Sequence, residues 1–188
     1  TTPTKLRVDA GLAAAKVNVF LRNLVEQSGG VATVGTIEFE PNAVNVIPSK
    51  AVFTVDLRNP KKEKLDADEK ALAEYFKELE ETDKVKIITE RMTEFDPVPF
   101  DEGIVEKVEK AAKAHGLSVR RITSGAGQDA QMIARICPTA MIFVPSVKGI
   151  SHNPEEYTKD EDVLAGAGVF LDVVMDMAVV GVPAARNN

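Results

Sequence analysis

Residues 124–157 hold the side chains best suited to chemistry. They open with Ser124-Gly125-Ala126-Gly127-Gln128-Asp129, pass through an apolar run at 139–144, and end in Ser151-His152-Asn153-Pro154-Glu155. The run 139–144 has the short, continuous apolar character of a strand buried on both faces. The loop after such a strand is where open α/β sheets place their chemistry. His152 sits in that loop and is one of two histidines in the chain. A neutral imidazole is a standard ligand for zinc and similar ions. On residue type alone, a hydrogen-bonded loop histidine is an equally good reading. A catalytic zinc needs about three protein ligands and an open position, so one histidine is not a site. The other, His115, precedes Gly116 at a helix end, where an imidazolium suits the negative dipole.

Gln128 can donate a hydrogen bond to a developing oxyanion, but it cannot carry a proton. Gly125 and Gly127 are expected to shape the loop before it. The strand–GxxxxGK[ST]–helix context of a phosphate-binding loop is missing, and Asp129 reads as a helix cap in preference to a residue that orients a neighbour. Arg58 offers a rigid fork of donors suited to a carboxylate. Its competing reading is a salt bridge to Asp56, two residues away on the same strand face.

These residues need elements to hold them. Residues 9–26 read as a helix, with Ala13, Val17, Phe20, Leu21 and Leu24 on one face. Asp9 caps its start and Gly29-Gly30 ends it. A strand follows over 31–40, with Ile37 and Phe39 on one side. Asn45-Val-Ile-Pro48 turns the chain into a second strand at 51–58, where Ala51, Phe53, Val55 and Leu57 share a face. A charged helix spans 61–82, with Leu65, Leu72, Phe76 and Leu79 inward, and a strand runs over 85–91. Two prolines mark a hinge at 95–100. Beyond it come a helix at 101–115 (Ile104, Val108 and Ala111 inward), a strand at 117–122, a helix at 128–136 and the strand at 139–144. Thr158-Lys-Asp-Glu161 reads as a capping box. It opens a last helix with Leu164, Ala167, Leu171, Val174 and Ala178 on one face.

The ordered motifs resemble a known family. Ser124-Gly-Ala-Gly-Gln128-Asp-Ala and Ser151-His152-Asn153-Pro154-Glu155 look like the C-terminal signature of the zinc-peptidase-like amidohydrolases. These comprise the N-carbamoyl-L-amino-acid hydrolases, β-ureidopropionases of that type and allantoate amidohydrolases, the hydantoinase/carbamoylase amidases. Thr1-Thr2-Pro3, Asp9–Ala15, Pro41-Asn42-Ala-Val-Asn45-Val-Ile-Pro48 and Asp56-Leu-Arg58 match in order, so the resemblance covers nearly the whole chain.

The resemblance implies an α/β protein in two parts. Residues 1–93 would be a lid or dimerisation domain, a ferredoxin-like βαββαβ sandwich lacking its first strand. Residues 94–188 would be the C-terminal part of a three-layer α/β catalytic domain. It implies two divalent ions, zinc or manganese, with His152 as one ligand. Asn45 and Arg58 would bind the substrate's carboxylate end. Gln128 stands where many relatives have a substrate-contacting histidine. Most metal ligands and the catalytic glutamate would precede Thr1, so the expectation is a C-terminal fragment, inactive alone and holding no metal tightly. The implied reaction is cleavage of the carbamoyl C–N bond of N-carbamoyl-L-amino acids. The alternatives are another ureido acid such as allantoate, or a non-catalytic dimerising or ligand-binding fragment. A homodimer through the lid is also implied.

Composition bounds these readings. The 188 residues carry a net charge of −6 with both signs mixed. No basic stripe points to nucleic acid, and no apolar run is long enough to span a bilayer. The single cysteine, Cys137, rules out an intrachain disulfide and fits a reducing cytoplasm. Between Ile136 and Pro138 it reads as a buried, inert thiol.

Overall fold

Two helices and a long hairpin form the first half of the protein. The structure is a computed structural model and describes residues 2–180. Helix α1 spans Ala10–Ser28, capped by Asp9, whose carboxylate accepts from the Leu12 N–H at 2.9 Å. It ends at Gly29 in the left-handed region (φ 80°), as the sequence predicts. Four short strands follow: β1 (Val31–Thr33), β2 (Ile37–Glu40), β3 (Lys50–Phe53) and β4 (Asp56–Arg58). Helix α2 spans Lys62–Thr82.

The two strands predicted at 31–40 and 51–58 are one interrupted antiparallel hairpin. Val31 pairs with Arg58 and Thr33 with Asp56, while Ile37 pairs with Phe53 and Glu40 with Lys50. Residues 34–36 therefore oppose residues 54–55, one extra residue in the first strand, which is a β-bulge. Thr36 and Thr54 hold it, with the Thr54 N–H donating to the Thr36 carbonyl at 3.2 Å. The bulge reverses which parity faces inward. Ala32 and Val34 are half-buried before it, and Phe39 after it.

Val17, Leu21 and Leu79 are the centre of the core, which Phe53, Val55, Leu72 and Phe76 extend. Phe20 of α1 stacks on Tyr75 of α2, ring centroids 4.1 Å apart. Val85 and Ile87 also pack there, and burial alternates along 83–88. Yet the strand predicted over 85–91 has no ladder among the described residues. Extended backbone becomes a strand only beside a neighbour that takes its hydrogen bonds, and none pairs with it.

The chain divides into two compact units, Thr1–Pro97 and Val98–Asn188. The second unit carries α3 (Glu102–Ala114), α4 (Asp129–Ile133) and α5 (Asp160–Val180). Asp101 caps α3 by accepting from the Ile104 N–H at 3.0 Å. His115 closes it, and its Nε2 lies 2.8 Å from Asp172 on α5. Lys107 and Asp176 form a second link between these helices. Val144 lies so near α5 that a Cβ on Gly166 would sit 2.5 Å from its Cγ1. Any larger residue at 166 would require the Val144 side chain to shift.

The second unit departs from the sequence expectation in several places. Residues 117–122 and 139–144 have no ladder among the described residues. Phe143 and Val144 are exposed rather than buried on both faces. Helix α4 is shorter than the expected 128–136: the Arg135 and Ile136 N–H groups bond in the i−3 fashion, and the Cys137 N–H bond to the Ile133 carbonyl at 3.0 Å is the last before Pro138. Cys137 is exposed, in the turn after α4, and so is its neighbour Ile136. Helix α5 begins at Asp160, which leaves Thr158 one residue outside the N-cap position. Among its described side chains Val169 and Val173 are buried, while Leu164 and Leu171 are exposed. That helix is apolar nearly all round, so periodicity could not single out a face.

Candidate functional site

His152 lies in a loop shaped by its own polar side chains. The loop leaves a short helical turn, Val147–Gly149, and closes where the Val147 N–H donates to the Tyr157 carbonyl at 2.8 Å. Inside it, the Asn153 side chain accepts from the Glu155 N–H at 2.9 Å, an Asx turn. The backbone N–H of His152 donates to the Glu156 carboxylate at 2.8 Å. Its φ is 56°, in the left-handed region where histidine, like Asn and Asp, is enriched among non-glycine residues. Ser151 Oγ lies 2.9 Å from Nδ1. With Nδ1–H donating to that hydroxyl, the neutral ring presents the lone pair of Nε2. The ring is exposed.

His152 therefore fits the chemistry of one metal ligand. Among the described residues no three His, Cys, Asp or Glu side chains gather as a metal site. Ser151 is part of the motif noted in the sequence, but its role and that of Glu156 in orienting the histidine emerge only here. The spacing of Glu156, four residues beyond His152 across a proline turn, is the signal that was available.

Gln128 occupies the N-cap position of α4 with extended backbone, and its side chain makes no capping bond. Asp129 lies inside the first turn rather than at the cap. Gly125 and Gly127 have no positive φ, and a Cβ on either would meet nothing within 4 Å. Backbone shape does not demand glycine at either position, so the expectation that they mould the loop is corrected. The side of the loop they leave is open.

In the first unit, Arg58 closes β4 and Asn45 lies in the loop between β2 and β3. Arg58 Nε and Nη2 donate to the Asp56 carboxylate at 2.8 and 2.5 Å. The same-face salt bridge considered from the sequence is thus present, and both side chains are about 50% exposed. The guanidinium's hydrogen bonds hold the Asp56 carboxyl below its ordinary range, and partial burial works against them. A depressed carboxylate pKa contributes stability above the unfolded value of about 3.9, and this is lost as pH falls through the folded value. Asp56→Asn is expected to equal the wild type in strong acid and to be less stable from about pH 4 upward, by at most about 1 kcal/mol for so exposed a pair. Urea denaturation between pH 3 and 7 checks this, and a stability difference independent of pH would contradict it.

Asn45 and Arg58 are not brought together in one chain. The path from Lys50 to Arg58 runs along the hairpin for roughly 25 Å at strand rise. Helix α1 measures the same interval. Its N-terminus meets the loop where the Ala10 N–H donates to the Pro48 carbonyl at 3.2 Å. Its last residue, Ser28, bonds the residues around Asn59. A shallow depression on this unit, between α1 (Asn18, Val19, Arg22) and β1 (Ala32, with Val34 beyond it), includes neither residue.

Helix, bulged hairpin and helix in one unit, and a histidine-bearing loop before a long helix in the other, define a mixed α/β protein of an established class. The chain belongs to peptidase family M20/M25/M40, whose model matches residues 7–176. It is 40% identical over 180 residues to an N-carbamoyl-L-amino-acid amidohydrolase of Rhizobium meliloti, covering 95% of this chain and 43% of that protein. It is 31% identical to an allantoate amidohydrolase of Bacillus subtilis, covering 95% and 44%. A solved amidase of the hydantoinase/carbamoylase family from Burkholderia multivorans superposes with a TM-score of 0.88 at 37% identity, covering 94% of this chain and 44% of that one. The resemblance drawn from the ordered motifs is borne out. The chain spans less than half the length of these relatives. No helix among the described residues is long and apolar enough to cross a membrane.

Proposed function

We propose that the whole protein is a metal-dependent, cytoplasmic amidohydrolase that cleaves the carbamoyl C–N bond of N-carbamoyl-L-amino acids. The observation that carries this is the 40% identity, across 95% of the chain, to a relative of that name. Residues 1–93 serve as the lid and 94–188 as the C-terminal part of the catalytic domain. His152 supplies one metal ligand through Nε2. Two divalent ions, zinc or manganese, would supply a water acidic enough to attack the ureido carbonyl. The 188-residue chain alone is expected neither to hold them tightly nor to turn over.

Arg58 binds the substrate carboxylate with charge-assisted hydrogen bonds. Asp56 keeps the guanidinium oriented before the substrate arrives. Gln128 donates its side-chain N–H toward the carbonyl oxygen as charge develops there. Glutamine at this position stabilises charge without moving a proton. Asn45 contacts the same end of the substrate. Since it lies at the far end of the hairpin from Arg58, a homodimer formed through the first unit would supply it from the second copy.

An N-carbamoyl-L-amino acid and allantoate both offer a carboxylate and a ureido group, so Arg58 suits either. Ammonia release by the whole protein from each separates them. The expected result is a higher kcat/KM for N-carbamoyl-L-amino acids. A preference for allantoate would move the protein to the ureido-acid branch.

A further inference from the structure

The two buried polar side chains of the described residues are adjacent, and they stand directly behind Arg58. Asn59 is 5% exposed and Asp68 3%. Asp68 lies on α2, on the inward side with Leu65 and Leu79. Its Oδ2 accepts from Ser28 Oγ at 2.8 Å and from Asn59 Nδ2 at 3.2 Å. Asn59 Nδ2 also lies 3.4 Å from Ser28 Oγ. Asn59 Oδ1 accepts from the Lys61 N–H at 3.2 Å, in the turn from β4 into α2. The Gly30 N–H donates to Ser28 Oγ at 3.3 Å. A Cβ on Gly30 would lie 2.6 Å from the Arg58 carbonyl oxygen.

Apolar packing alone would not select this arrangement. Burying a carboxylate is costly unless hydrogen bonds compensate it, and an apolar side chain on α2 would cover the same space more cheaply. Directional bonds give what apolar contact does not, a fixed register between elements. Here they join the end of α1, the turn after β4 and the first turns of α2 around one backbone position.

We propose that Asp68, Asn59 and Ser28 act as positioning residues that hold the strand end from which Arg58 reaches its carboxylate ligand. This rests on the carboxylate-binding role proposed for Arg58. Asp56 sets the direction of the guanidinium on the exposed face, and the buried trio sets the place of the backbone beneath it. A misplacement of about 1 Å in a binding group can cost up to about 100-fold in rate or binding.

Steady-state kinetics of the whole protein on its best N-carbamoyl-L-amino acid test this. Asn59→Ala is expected to raise KM about tenfold with kcat within about twofold, and Asp68→Ala should do the same. Asp68→Asn should recover most of the loss, because a single oxygen of Asp68 accepts both bonds. The deciding measurement is the cycle with Arg58→Ala. In that background Asn59→Ala should raise KM no further. An equal rise in both backgrounds, or an unchanged KM in folded Asn59→Ala, overturns the proposal. If Asn59→Ala does not fold, Ser28→Ala, which removes one donor to Asp68, takes its place with the same expectations. An Arg58→Ala protein with unchanged KM would instead overturn the carboxylate-binding role, a failure distinguishable from that of the positioning trio.

Discussion

Replacement of His152 by alanine in the whole protein is expected to remove bound zinc or manganese and to lower kcat/KM by more than about 100-fold. Mutating a group that hydrogen-bonds a metal ligand typically costs about 10–100-fold, and losing the ligand itself should cost more. The geometry supports the ligand role in two ways. The loop fixes the backbone of His152, at φ 56° and with its N–H on the Glu156 carboxylate. With Nδ1–H donating to the Ser151 hydroxyl, Nε2 is the ligating atom. Metal analysis after desalting, together with kinetics, decides the matter. Unchanged metal content and rate would make His152 a hydrogen-bonded loop histidine and nothing more.

The second large effect is expected at Arg58. Arg58→Ala should raise KM for N-carbamoyl-L-amino acids by about 100-fold, since a charge-assisted bidentate contact to a carboxylate is among the strongest hydrogen-bonded contacts a side chain makes. Arg58→Lys should recover little, because an ammonium is a point charge and not a fork. Removing Arg58 also takes away the donors that hold the Asp56 carboxyl low, leaving that existing negative charge uncompensated near the incoming carboxylate. A KM unchanged in Arg58→Ala would return Arg58 to its other role, the structural partner of Asp56.

The first unit was largely legible because its patterns are local. Asp9 and Gly29 bracket α1, and Leu65, Leu72, Phe76 and Leu79 form a clean stripe on α2. The alternation at 51–58 gave the buried face correctly. The bulge at 34–36 escaped because it reverses the inward parity within one apparent strand, with only Gly35 as a local cue. Asp68 escaped because a charge on a charged helix reads as solvated until the partners Ser28 and Asn59, distant in sequence, are placed beside it.

The second unit was less legible, for a different reason. Continuous apolar runs such as 139–144 announce burial but not its partner, and their strand character depends on neighbours that pair with them. In α5 an apolar residue stands at almost every angle, so the stripe through Leu164 and Leu171 was no better marked than the one through Val169 and Val173. Cys137 was expected to be buried from its apolar neighbours, yet a turn that exposes Ile136 exposes it too. Among the candidate site residues, types and positions were readable from ordered motifs. The separation of Asn45 from Arg58 was not, since it follows from the hairpin's register.

The most direct test of the central claim is ammonia release from N-carbamoyl-L-amino acids by the whole protein, before chelation, after it, and after zinc or manganese is restored. The account predicts turnover that disappears with the metal and returns with it. Turnover that persists undiminished in the metal-free protein, or none from any N-carbamoyl-L-amino acid in the metal-loaded one, would contradict it.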